Sequence, residues 1–141
     1  MQKLELIDAL LLGNEALDND HRDLVDLANK LIESIKDKNS DGAQQYLSDF
    51  CSSFCEHEKF EMAYLKEIGF PNVRSLEIHY NNMYREIQYL YHLFDRAIRN
   101  EIGWKTFRDA LASGLFETLI REDLSFKSFL IECGHSTHSG R

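Results

Sequence analysis

Pro71 is the only proline in the chain, and no stretch alternates Val, Ile or Thr with polar residues as a half-buried strand does. Such a chain is restricted to long helices. Their breaks are few: Lys36 to Gly42 is polar and turn-like, Gly69-Phe70-Pro71 places a proline just past a glycine, and Asn100 to Gly103 forms a third turn. Helix A is expected to start at the N-cap cluster Asp18-Asn19-Asp20, after an ordered arm, with Leu24, Val25, Leu27, Ala28, Leu31, Ile32 and Ile35 in one apolar stripe. Helix B runs from about Gly42 to Ile68, helix C from about Asn72 to Arg99, and helix D from the third turn to Gly134. Short loops force such helices to alternate in direction, so the expectation is all-α: an antiparallel up-down-up-down four-helix bundle with an N-terminal arm. Residues 1–133 read as one domain, and 134–141 as a disordered tail with nothing to bury.

Charge and cysteine content narrow the function classes. Sixteen Lys and Arg against 24 Asp and Glu leave a formal charge of -8, which repels nucleic acid and anionic lipid. No run approaches the ~18–20 apolar residues that cross a bilayer, and the apolar N-terminal run Leu4 to Leu12 is broken by Glu5 and Asp8. The odd set Cys51, Cys55 and Cys133 matches no disulfide framework, so a cytoplasmic protein is expected, with Cys51 and Cys55, one helical turn apart, read as core-filling thiols rather than as soft-metal ligands or oxidant sensors. Cys55 and His57 stand about 200° apart on a helix, so no Cys/His nucleophile arrangement follows, and no Ser/His/Asp one is evident.

A different chemistry is written along the four stripes. His57 and Glu61 lie four residues apart in helix B, where an imidazole and a carboxylate reach one point about 6 Å apart at their bases. His21 in helix A, His79 in helix C and Asp123 in helix D are the inward or near-inward polar residues of the other three. Ionisable groups on a bundle axis are costly unless paired, hydrogen-bonded or bound to metal. Facing helices that converge nitrogen and oxygen donors build sites for Fe, Mn or Zn.

The order of these motifs resembles the bacterial hemerythrins and hemerythrin-like domains over roughly residues 6–130. Leu12-Gly13-Asn14-Glu15-Ala16-Leu17-Asp18-Asn19-Asp20-His21 is similar to the family's arm and its Asp-x-x-His entry into helix A. His57-x-x-x-Glu61 with Gly69-Phe70-Pro71 resembles the helix B motif and its turn, and Leu119-Ile120-Arg121-Glu122-Asp123 with Phe126 and Phe129-Leu130 the closing motif of helix D. The resemblance implies a hemerythrin-like bundle with non-haem iron, held in the family by five histidines and two bridging carboxylates, with O2 at the more open iron. It assigns metal-ligand roles to His21, His57, Glu61, His79 and Asp123. Two family histidines are replaced, by Ser75 in helix C, or by Met83 in the other register, and by Thr118 in helix D. The resemblance thus implies an altered centre, with one iron or with a second weakly held, and Glu122, Tyr80 and Tyr84 as possible replacement donors. The expected role is O2, NO or peroxide sensing or binding, or iron handling, with no catalytic residue assigned. Peroxidase-like turnover at an open iron is the enzyme variant of that reading. The alternative is a metal-free hemerythrin fold serving as a sensory or interaction module.

Overall fold

The computed structural model describes residues 3–136. Among them there is no strand, and the helices form a bundle: α1 (Glu15–Lys36), α2 (Ser40–Glu67), α3 (Val73–Ile98) and a fourth stretch built in pieces. The pieces are α4 (Trp104–Ala112), a π-helical segment (Ser113–Ile120), α5 (Arg121–Leu124) and α6 (Lys127–Glu132). No helix among the described residues is long and apolar enough to cross a membrane.

The first three helices begin and end alike. Asn14, Asn39 and Asn72 each accept a hydrogen bond on the side chain from the backbone N–H three residues on, at Leu17, Gly42 and Ser75. At the far ends Asn39, Phe70 and Glu101 N–H groups reach back to the Ser34, Leu65 and Arg96 carbonyls, around a residue of positive φ: Lys38, Gly69 and Asn100. The start of α1 therefore differs from the expected Asp18-Asn19-Asp20 cap. Asp18 lies inside the helix, where its carboxylate accepts from Leu12 N (2.7 Å) and Gly13 N (3.0 Å) and pins the arm. Asn29 pins the arm further up, pairing with both backbone groups of Leu4.

The fourth stretch is not the single α-helix expected. Phe107, Leu111, Leu115, Leu119 and Asp123 are spaced by fours, and on an α-helix each such step drifts ~40° around the axis. The wider i→i+5 turns of Ser113–Ile120 absorb that drift, so all five remain buried on one side. Gly114 permits the close approach of α3 here, since a Cβ would lie 3.1 Å from Glu86 Oε2.

Two apolar clusters fill the bundle. The larger contains Leu24, Phe54, Met83, Phe107 and Ile120; the smaller contains Leu12, Leu17, Leu65, Leu76, Phe126 and Leu130. α1, α2, α3 and the fourth stretch as a whole each cross from one to the other, with one polar layer between: His21 lies between Leu17 and Leu24, His57 and Glu61 between Phe54 and Leu65, His79 between Leu76 and Met83, Asp123 between Ile120 and Phe126. The thiols Cys51, Cys55 and Cys133 are free, and burial pushes the Cys51 thiol up to about 12, as suits a core-filling group.

The tail departs from expectation where it is described. Gly134 (φ 75°) ends α6 with the same turn as the other helices, His135 N–H reaching the Leu130 carbonyl at 2.7 Å. Asn14 then donates to the His135 carbonyl (2.9 Å) and the Tyr64 hydroxyl (3.0 Å), Tyr64 pairs with His135 Nδ1 (2.6 Å), and Ser136 donates to the Leu12 carbonyl (2.6 Å). The polar side chains expected to keep this segment in solvent instead tie it to the arm and α2. The rest of the expected tail, 137–141, lies outside the described residues.

Candidate metal centre

The polar layer brings together all five sequence-derived candidates and one more residue. His21 Nε2 lies 2.8 Å from Asp123 Oδ2 and 3.2 Å from His57 Nε2, and His57 Nε2 lies 3.1 Å from Asp123 Oδ2 and 3.3 Å from Glu61 Oε2. On the other side His79 Nε2 lies 3.0 Å from Glu58 Oε2, 3.2 Å from Asp123 Oδ1 and 3.4 Å from Glu61 Oε1. Two donor groups result, His21/His57/Glu61/Asp123 and Glu58/Glu61/His79/Asp123, with the donor atoms of each within 4.8 Å of one another. Glu61 and Asp123 belong to both, each turning one oxygen to either side.

Carboxylates outside the layer orient two imidazoles. His57 Nδ1–H donates to Asp20 Oδ2 at 3.1 Å, and His79 Nδ1–H to Glu122 Oε2 at 2.6 Å. Both rings thus turn Nε2 inward, an arrangement that fixes tautomer and direction in metal-ligating histidines. Glu122, a proposed replacement donor, therefore touches the outer nitrogen of His79. Tyr80 and Tyr84 stand in neither donor group; with Cys55, Glu58, Met83 and Ile87 they line a cavity of about 10 Å³ between α2 and α3. Ser75 and Thr118 are half-buried and belong to neither group, and Met83 packs in the larger apolar cluster, which leaves His79 as the helix C member of the layer. A groove of about 520 Å³ between α1 and α2, edged by Asp20, Asp23 and Glu56, reaches His57 from the surface.

The layer is electrostatically expensive. Glu58, Glu61 and Asp123 are at most 3% exposed. Burial pushes Glu58 up to about 7, with the neighbouring Asp123 and Glu61 adding to the rise and His79 opposing it; burial and Asp123 likewise raise Glu61. Burial works against charge on His57 and His79 as well, but the carboxylates around them outweigh it and hold both well above the usual imidazole range. Against its own burial, Asp123 is held well below the usual carboxylate range by His21, His57 and His79. Protons thus take up part of the imbalance, at the same atoms a cation would use.

The donor set fits a metal ion. Glu58 Oε1, Glu61 Oε2, His79 Nε2 and Asp123 Oδ1 are buried without a hydrogen-bond partner, although charged neighbours crowd within 3.0–3.4 Å of the last two atoms. Close contact without hydrogen-bond geometry is what donors show when they aim at a common point rather than at one another. First-row metal bonds of ~2.1 Å set adjacent donors ~3.0–3.4 Å apart, close to the 2.8–3.4 Å separations across the layer. These buried groups could therefore hold a metal ion.

Glu58 and Asp20 were missed in the sequence. The signal for Glu58 was present: Phe54, Glu58, Glu61 and Leu65 are spaced 4-3-4, an inward stripe beside the one that carries His57. Asp20 read as a cap because a short acidic residue near a helix start fits either role. No protein-family model matches the chain, and no curated protein matches it.

Proposed function

We propose that this chain is a hemerythrin-like non-haem metal-binding protein, with iron as the resident metal, that binds or senses O2, NO or peroxide or handles iron. One observation carries the reading: Glu61 and Asp123, both buried, each divide their two oxygens between two donor groups inside a helical bundle. Carboxylates set between facing helices, with one oxygen turned to each of two donor groups, are placed as a pair of bridging ligands would be. The alternation of the two apolar clusters along successive helices supports the up-down-up-down arrangement of that family.

His21 and His57 would hold the ion at the first position, with Glu61 and Asp123 shared, and His79 would face the second. Bound iron supplies a redox-active Lewis acid able to take a small oxygen- or nitrogen-containing ligand. The chain itself orients the donors through Asp20 and Glu122, and the apolar clusters close the layer at both ends, leaving the groove beside His57 as the approach from the surface. The metal-free alternative draws on the hydrogen bonds that already join His21 and His57 to Asp123.

Anaerobic ferrous loading followed by desalting and metal analysis tests the reading. At least one iron per chain is expected in the wild type, with loss of the first-position ion in His57→Leu. A wild-type chain that retains no metal, together with a His57→Leu variant at least as stable, would overturn it in favour of the interaction module.

A further inference from the structure

The second donor group lacks the imidazoles whose places Ser75 and Thr118 occupy, yet it is not short of donors. Glu58 stands there, on α2, one residue past His57 and one turn before Glu61, with a side chain 3% exposed. Its Oε2 lies 3.0 Å from His79 Nε2, and its Oε1 is buried without a partner. A simple ion pair with His79 leaves that second oxygen unexplained. Three buried carboxylates, Glu58, Glu61 and Asp123, thus converge on the single imidazole of His79.

We propose that Glu58 replaces the missing imidazoles, so that Glu58, Glu61, His79 and Asp123 hold a second divalent cation, and that this oxygen-rich position selects a harder ion than the first. The inference rests on the metal-centre reading above and adds to it a ligand and a selectivity. The first position offers two imidazoles and two shared carboxylates, a set that suits iron and zinc alike. The second offers one imidazole and three carboxylates, and carboxylate donors suit manganese(II) and ferrous iron better than softer ions. With two divalent cations, both oxygens of Glu61 and of Asp123 would have a cation to face. Glu122 holds His79 in place for this position as Asp20 holds His57 for the other.

The test is a two-metal titration of the whole protein. One equivalent of zinc is added first, then manganese(II), with free manganese read by electron paramagnetic resonance and bound metals counted after desalting. The wild type should bind one zinc and one manganese, and Glu58→Gln should keep the zinc while losing manganese affinity by more than the ~10–100-fold of a lost outer hydrogen bond. Anomalous scattering at the two metal edges should place manganese beside Glu58. The proposal is overturned if the wild type binds a single ion, if zinc fills both positions and manganese is excluded, or if Glu58→Gln binds manganese as tightly as the wild type. A chain that binds no ion at all defeats the metal-centre reading itself, a separate outcome. The wild-type stoichiometry and scattering decide the matter even if the variant does not fold.

Discussion

On one side of the polar layer Phe94, Trp104 and Phe107 meet edge to face, with centroids 5.4–6.0 Å apart, among Leu, Ile and Ala side chains that need no polar contact to stay in place. On the other side Phe70, Phe126 and Phe129 make similar contacts at 5.1–5.2 Å, but the cluster is small and its cover is the arm and the C-terminal turn, both fastened by hydrogen bonds. His79 touches that smaller cluster through Phe126. The larger end draws its stability from area removed from water and is indifferent to charge. The layer and its cover depend on partners, so the two ends should respond to different perturbations.

The strongest break in this comparison is Phe107→Ala. Phe107 is fully buried, and emptying its site should cost about 3–5 kcal/mol. Urea unfolding should show the loss while metal stoichiometry stays at the wild-type value, because no donor rests on that ring. A variant that unfolds as expected but also sheds its metal would mean that the two ends are coupled more tightly than their separate packing implies.

Next in size are the two outer carboxylates. Asp20→Asn and Glu122→Gln keep size and shape but weaken the hold on His57 and His79, and each should reduce metal affinity about 10–100-fold. The losses should fall on different ions: Asp20→Asn on the first position, Glu122→Gln on the second. Competition with a chelator of known affinity reads each. Equal losses at both positions in either variant would show that the shared carboxylates, rather than the separate histidines, govern binding.

The sequence made the helices legible because their breaks are chemical. Gly69 and Asn100 occupy left-handed backbone that few residues tolerate, and Pro71 cannot continue a helix. Four of the six residues in the two donor groups could be read from helical period and burial cost on separate helices, with Glu61 adding the fifth. Glu58 lies on a second inward stripe, Phe54, Glu58, Glu61 and Leu65, which escapes notice when a single stripe per helix is sought, because α2 buries a face wider than one stripe. The π-helical segment was hidden for the opposite reason: a step of four looks like ordinary helix until the drift is summed over Phe107 to Asp123. Caps were the weakest reading, since Asn14, Asp18 and Asp20 have similar chemistry and only tertiary contacts decide which one caps, which pins the arm and which holds a histidine.

The smallest effect concerns the cover. Tyr64 accepts from Asn14 and pairs with His135, so Tyr64→Phe removes two hydrogen bonds while Asn14 keeps its bond to the His135 carbonyl. One partner therefore survives, and the net cost should be about 1 kcal/mol, roughly 3 °C in Tm for a chain of this size. Because the residues affected fasten the C-terminal turn to the arm, hydrogen exchange should quicken first at the Leu12 and Gly13 amides, which Asp18 holds, and at the His135 amide. Amides in α3 around Leu90 and Phe94 should keep their protection. Faster exchange spread evenly over both ends would show that the cover opens only with global unfolding, and that the hydrogen-bonded end is as cooperative as the apolar one.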